Sequence, residues 1–259
     1  MMSSVKPIQP TARSLLPEIH FHQLFELPAW YWWHQHRIRV VLDQLELLEI
    51  INRDLCDLGG GSGGTLLQIV KMMRHSTRLM TRLKYFSLMD HDDRADVNFL
   101  AQQGIAWEFL DLNRPTAKRF GNFLLLDVLE HLDDPGKFSH WLYQSTQPGG
   151  VGIITVPAFR SFWSAWDVQL GHRNRFTLAR LERIMKAAGF QVVFGSYIFS
   201  WTLIPAFFRK FWQSGNIEFP NVPSWLNEAL DRLGRWEAAL LRRHRKILVG
   251  TSAMAIVRK

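Results

Sequence analysis

A largely parallel α/β sheet covered by helices on both faces is predicted for this 259-residue chain by three observations. From Arg53 onward, short apolar runs alternate with helix-spaced segments, the pattern of strand and crossover helix. Three of those runs finish on a carboxylate, at Asp90, Asp111 and Asp127. The first run leads into Asp57-Leu58-Gly59-Gly60-Gly61-Ser62-Gly63-Gly64, a glycine-rich turn that lets a ligand approach the backbone at a strand's carboxyl end.

The elements follow in order. Residues 1–19 form a loosely held tail, and residues 20–51 predict a helix in which Trp30, Trp33, Arg37, Val40, Val41, Gln44, Leu45 and Leu48 keep helical spacing. A strand over 53–58, the glycine turn and a helix over 64–73 come next. Then come a strand over 85–89, a helix over 95–103 and strands over 105–110 and 122–126. Pro135 opens a helix running to about Gln147, Pro148-Gly149-Gly150 makes a turn, and Val151 begins a β-branched strand closed by Pro157. An aromatic loop leads to Thr177, a good N-cap for a helix ending at Gly189. A strand over 190–199, helices over 203–212 and 224–243 and a last strand over 247–257 complete the prediction.

At 47% apolar residues the chain can bury a substantial core, so one main domain over 20–259 with an appended cap is expected. Cys56 is the only cysteine, which excludes an intramolecular disulfide and a cysteine-rich metal site and fits a small buried filler in a strand. The histidines are dispersed without ligand spacing, so no metal site is expected. A net charge of +8 points to an anionic partner without choosing among nucleic acid, phosphorylated substrate and membrane surface. The basic residues are densest near Arg242, Arg243, His244, Arg245 and Lys246. The N-terminal residues lack the apolar core of a secretory signal, so a cytoplasmic protein is expected. The apolar stretch 192–208 is interrupted by Gly195, Ser200 and Pro205 and reads as a strand followed by a buried or interfacial helix, since a span needs about 20 apolar residues.

The glycines admit two cofactors. Gly59, Gly61 and Gly63 fit a G-x-G-x-G turn, whereas Gly59, Gly61 and Gly64 fit the G-x-G-x-x-G of dinucleotide binders. The carboxylates lean one way: Asp90 suits ribose hydroxyls, Asp111 an adenine amino group, and Asp127 lies beside the turn, where it attracts an ammonium and repels a pyrophosphate. That favours adenosylmethionine.

Four stretches, the turn among them, make a resemblance specific. The turn from Asp57 to Gly63, Asp127-Val128-Leu129-Glu130-His131-Leu132, Pro148-Gly149-Gly150 and Lys186-Ala187-Ala188-Gly189-Phe190 stand in register. The chain thereby resembles class I S-adenosylmethionine-dependent methyltransferases of the type-11 or ubiquinone-biosynthesis O-methyltransferase-like group. A fifth stretch, Val156-Pro157-Ala158 through Asp167, Gly171-His172 and Arg175-Phe176-Thr177, resembles a bacterial subgroup. The resemblance implies a Rossmann-like, seven-stranded, mostly parallel sheet with an antiparallel last strand and a helical cap before it. It implies that Gly59, Gly61 and Gly63 pass beneath the cofactor, with Asp57 opening the turn. Asp90 holds the ribose, Asp111 and Leu112 flank adenine, Leu126 and Asp127 line the methionine end, and Arg37 meets the cofactor carboxylate unless it forms a surface ion pair. Because His91, Asp92 and Asp93 follow Asp90, Asp92 is an alternative ribose ligand.

Methyl transfer from a sulfonium is a direct displacement that needs a base only when the acceptor is protonated. Glu130, His131 and His172 are the candidates; structural roles for the two histidines are the competing reading. Insertions at about 157–176 and 200–245 are expected to form the lid and acceptor pocket, and their aromatics fit a bulky apolar or amphipathic small molecule or, alternatively, core packing. Arg209, Lys210 and the basic cluster could rest on an anionic membrane. Nucleic-acid modification is disfavoured because Asp127-Val128-Leu129-Glu130 replaces the N/D-P-P-aromatic signature of base methylases. A non-catalytic cofactor-binding scaffold and a dehydrogenase are the remaining alternatives, the latter lacking any recognisable hydride-transfer site.

Overall fold

The structure is a computed structural model that describes residues 30–74, 76–90, 95–115, 117–209 and 222–259. Helix α1 (Trp32–Leu47) precedes β1 (Asp54–Leu58), α2 (Gly64–Met73), α3 (Thr77–Arg82), β2 (Tyr85–Asp90), α4 (Val97–Gln102), β3 (Ile105–Phe109) and β4 (Asn122–Leu126). Next come α5 (Pro135–Ser145), β5 (Val151–Pro157), α6 (Ala165–Gln169), α7 (Leu178–Ala188), β6 (Gln191–Ile198), α8 (Leu203–Arg209), α9 (Ser224–Arg242) and β7 (Ser252–Arg258). Short 3-10 turns lie at Leu129–His131, Arg160–Phe162 and Ser200–Thr202.

The seven strands make one sheet in the order β3-β2-β1-β4-β5-β7-β6. Parallel pairing runs from β3 through β5, while β7 is antiparallel to both β5 and β6. The predicted fold class is therefore the one present. Strand order reverses between β1 and β4, which places the glycine turn and Asp127 at the switch point where α/β sheets bind ligands.

Alternate residues of the buried strands feed two cores. Leu124 and Leu126 of β4 join Ile38, Val41 and Leu45 of α1, Leu66 and Ile69 of α2, and Ala238 and Leu241 of α9. Phe123 and Leu125 join Leu142 of α5 and Leu181 and Met185 of α7 on the other face. Both faces are thus covered, which is why these strands read as continuous apolar runs. Cys56 is fully buried in the second core, and burial pushes its thiol pKa up.

Several predicted boundaries coincide with the structure because a local signal stops each element. Gly63 and Gly189 take left-handed conformations at the ends of α2 and α7, and Thr177 accepts from the Arg180 N–H. Others need correction. Residues 247–251 are not part of the last strand: Ile247 N–H donates to Ser196 Oγ, Tyr197 N–H donates to the Ile247 carbonyl, and Gly250 sits so close to the Ile198 backbone that a Cβ would be 2.2 Å from its carbonyl. This irregular contact delays β7 to Ser252. Two short helices were not predicted. Ser76 caps α3, and a capping box between Ser164 and Asp167 starts α6 inside the stretch read as an aromatic loop. The tail 1–19, the first ten residues of the helix expected over 20–51, Asp92 and Lys210 lie outside the described residues. Among the described residues no helix is long and apolar enough to cross a membrane.

Candidate active site

At the end of β1 the turn is held by its own backbone: Gly59 N–H donates to the Met89 carbonyl and Gly63 N–H to the Gly60 carbonyl. Gly59, Gly61 and Gly63 all have positive φ. A Cβ on Gly59 would come within 2.7 Å of Val128 and 3.0 Å of Leu112, so the floor of the turn is packed. A Cβ on Gly61 would meet nothing within 4 Å, so that glycine is required for its backbone shape, φ 58°, and leaves the upper surface open. Gly64 begins α2. Its first-turn N–H groups have no side-chain cap from Gly63, which leaves the positive end of the helix directed at the turn.

Asp90, at the end of β2, is buried and accepts from the Gly61 N–H at 2.7 Å. Asp57 lies underneath with Oδ2 unpartnered among the described residues. Burial pushes its pKa up to about 7; Arg37 opposes the shift and Asp90 adds to it. Asp111 falls beyond β3, where its Oδ1 accepts from the Asn113 N–H, while Leu112 is buried against Gly59. Leu126 is buried at the end of β4.

Asp127 follows with φ 56°, a left-handed conformation that aspartate tolerates better than most residues. Its N–H donates to the Thr155 carbonyl and its Oδ1 accepts from Thr155 Oγ1 at 3.1 Å. Its other oxygen meets Arg37 Nη2 at 3.0 Å. Arg37 itself is buried, with its guanidinium 5.0 Å from the centre of the Trp33 ring, and it pairs with a partly exposed Asp127 at the rim of the turn.

One turn later, Leu129–His131 brings Glu130 and His131 against the loop carrying His172. Glu130 is completely buried and neither carboxylate oxygen has a hydrogen-bond partner among the described residues. Burial raises its pKa well above the usual range, with the negative charge of Asp127 adding to the effect. His172 Nε2 lies 3.9 Å from Glu130 Oε1, and its Nδ1 is 2.9 Å from Asp167 Oδ1. Arg175 Nε also donates to Asp167 Oδ1, at 2.7 Å, and Ser164 N–H to Asp167 Oδ2. Burial alone would raise the Asp167 pKa, but the bonds from His172 and Arg175 outweigh it and bring it down to about 2. An ionised Asp167 keeps the proton of His172 on Nδ1 and turns the Nε2 lone pair toward Glu130. The His131 and His172 rings meet edge to face with centroids 4.8 Å apart. Burial, with His172 nearby, lowers the His131 pKa to about 4, and its Nδ1 has no hydrogen-bond partner among the described residues.

Ligand atoms of Glu130, His131 and His172 lie within 4.8 Å of one another, a grouping that could hold a cation. The expectation of no metal site rested on histidines scattered in sequence, and the fold is what gathers these two. Asp167 and Arg175 had been noted only as part of a resemblance; the Ser164/Asp167 capping box was the signal that the aspartate is structurally pinned.

The turn is suited to adenosylmethionine. Its open upper surface, the carboxylates on three neighbouring strand ends and the unpartnered oxygen of Asp57 match a cationic ligand carrying a ribose. A family model described as a methyltransferase domain matches residues 31–194, more than half of the chain, and the chain belongs to that family. It is a class I S-adenosylmethionine-dependent methyltransferase. Solved structures share the fold at low identity. A SAM-dependent methyltransferase from Archaeoglobus fulgidus is 14% identical, with 93% of this chain and 99% of that one covered at a TM-score of 0.54. A chain from the complex containing the Haloferax volcanii Trm112 methyltransferase activator is also 14% identical, covering 88% and 89% at 0.55. The [4+2]-cyclase SpnF is 15% identical, covering 86% and 81% at 0.54. A cyclase on this fold shows why the acceptor chemistry has to be argued from the site. No curated protein sequence matches the chain.

Proposed function

We propose that the chain methylates a hydroxyl or amine of a small, amphipathic acceptor, with His172 as the general base. The observation that carries this reading is Glu130: a fully buried carboxylate with two unpartnered oxygens, beside a histidine whose far nitrogen is tied to Asp167. When bound, the cofactor would supply an electrophilic methyl group on a sulfonium, whose carbon bonds to the acceptor's lone pair as the C–S bond breaks and the neutral thioether leaves. Arg37 would hold its carboxylate, Asp127 its ammonium and Asp90 the ribose, with Asp111 and Leu112 beside the adenine and Gly59, Gly61 and Gly63 beneath. His172 Nε2 takes the proton released by the acceptor. The imidazolium so formed is held by the ionised Asp167, which favours its charge. His131, neutral at pH 7 and unpartnered at Nδ1, positions the acceptor.

Trp33, Phe199 and Trp201 pack around α1 near Arg37, and Phe159 stacks on Tyr197 beyond β5. They supply apolar walls at this rim, consistent with a single domain over 20–259 whose segments 157–176 and 200–245 cover the acceptor. The test is incubation with labelled adenosylmethionine and an extract of native lipids and small metabolites, followed by identification of the labelled product. His172→Ala should bind adenosylhomocysteine normally and lose turnover; unchanged turnover would remove the base. The Glu130, His131 and His172 grouping supports a second reading, a divalent cation that binds the acceptor oxygen. Dialysis against a chelator followed by elemental analysis separates them, because the base mechanism survives that treatment.

A further inference from the structure

The outward face of α9 has no partner among the described residues, and we propose that it docks on the surface of a bilayer containing anionic lipid. The inward face is committed to α1 and, through Glu237, to Phe199 and Ser200. Trp32 N–H donates to Asn227 Oδ1, Arg39 pairs with Asp231, His36 with Glu237, and Arg242 with Asp43 and Glu46. These contacts consume the acidic residues of the helix except Glu228, which pairs with Arg232.

What remains outside is aromatic and cationic. Trp225 and Trp236 are 70% and 62% exposed, and Leu233 is exposed between them. They share one helical stripe with Arg232 and Arg243. The stripe ends in the exposed run Arg243, Arg245 and Lys246, which makes no ion pair among the described residues, and Leu248 and Val249 are then exposed as well. Single exposed apolar residues need no explanation, but two tryptophans aligned with arginines on one helix form the composition that settles at the headgroup boundary.

Charge complementarity selects the occupant. A second copy packed through a two-fold axis would set Arg232 and Arg243 against themselves, since such an interface uses the same patch on both subunits. An anionic lipid surface instead attracts every cation on the stripe while its interface accepts the indoles. The Trp225 end of α9 lies beside Trp32, at the start of the helix that carries Arg37. Docking would therefore bring the rim of the site close to lipid, where an amphipathic acceptor dissolves. The docking does not depend on the proposed base, and its test needs no turnover.

Because Cys56 is fully buried, a thiol introduced by Trp236→Cys can be labelled selectively with an environment-sensitive dye in the full chain. Vesicles of phosphatidylcholine mixed with phosphatidylglycerol should co-sediment with the protein and shift the dye emission to the blue at low salt; pure phosphatidylcholine should do neither. Replacing Arg243, Arg245 and Lys246 together by glutamine should weaken binding about a hundredfold, since each basic residue near an anionic surface contributes about fivefold. Reversing the charges of Arg183 and Lys186 on α7, across the sheet, should leave binding unchanged. Equal binding to both vesicle types, binding without the blue shift, or a concentration-dependent dimer that shifts the dye without lipid would overturn the proposal. So would preferential binding of single-stranded RNA that phosphatidylglycerol vesicles fail to displace. Should the Trp236→Cys chain misfold, the same thiol at Trp225 serves the test.

Discussion

Glu130 and Glu237 are both fully buried, and their surroundings treat the same carboxylate in opposite ways. Glu237 receives the N–H groups of Phe199 and Ser200, the Ser200 hydroxyl and His36 Nε2, all between 2.5 and 2.9 Å. Burial alone would raise its pKa, but these donors outweigh it and hold the value below normal. Glu130 receives none among the described residues, and its pKa rises. A buried charge that is fully paired belongs to the scaffold, where it braces the left-handed residue Phe199 and ties α9 to α1. A buried carboxylate left unpaired carries a cost that packing does not recover, and this one lies 3.9 Å from the histidine proposed as the base.

Substitutions break that comparison in a definite order. Glu237→Gln, which sets an amide N–H group against backbone N–H donors, should cost about 3 kcal/mol of stability in urea denaturation. A loss below about 1 kcal/mol would mean that the network is not bracing the fold. Glu130→Leu, which removes the polar group beside His172, should leave adenosylhomocysteine affinity unchanged and lower turnover roughly a hundredfold, about 2.7 kcal/mol; full activity would make this glutamate another structural residue. His36→Gln removes one of the Glu237 partners and should cost about 1.5 kcal/mol, with turnover retained, unless α1 depends on that contact to place Arg37.

The smallest effect is the one with pH. An unfolded glutamate titrates near 4.3, whereas folded Glu130 titrates higher. Between those two values the folded protein holds a proton that the unfolded chain has released, so raising pH through the window lowers stability. Asp57, raised to about 7, acts in the same direction from its ordinary value upward. His34 and His131, each held down to about 4, act the other way between that value and the ordinary imidazole pKa, so the test is the difference between chains: from pH 5 to 7 the stability of Glu130→Gln should rise more, or fall less, than that of the parent, by on the order of 1 kcal/mol. An unchanged slope would assign the proton to another group.

The same contrast shows what can be read in a sequence. The span from Gly64 to Met73, the strand Asn122–Leu126 and the helix between Thr177 and Gly189 are bounded by local signals, and they fall where the spacing predicts. Asp57, Asp90 and Asp127 could be located because strand ends and glycines mark them. By contrast, Glu237 meets His36 across 201 positions, and nothing near either residue announces the pairing. Glu130 and His172 could each be named as chemistry-bearing, but their proximity depends on the α6 loop folding back, which a capping box alone does not determine. The exposure of Trp225 and Trp236 was equally hidden, since an aromatic residue in a helical pattern fits a core as well as a surface.

The placement of β7 has a consequence for how the chain acquires this fold. Although it follows every other strand in sequence, it lies inside the sheet, between β5 and β6. Until it inserts, β5 and β6 each present a row of unpaired backbone groups, the kind of edge that recruits other chains. The insertion pairs Ser252 with Pro157 and Arg258 with Val151, contacts that bridge roughly a hundred residues and are correspondingly slow to form. Refolding from urea should accordingly lose yield as protein concentration rises, with aggregation competing against a strand that arrives last and closes the middle.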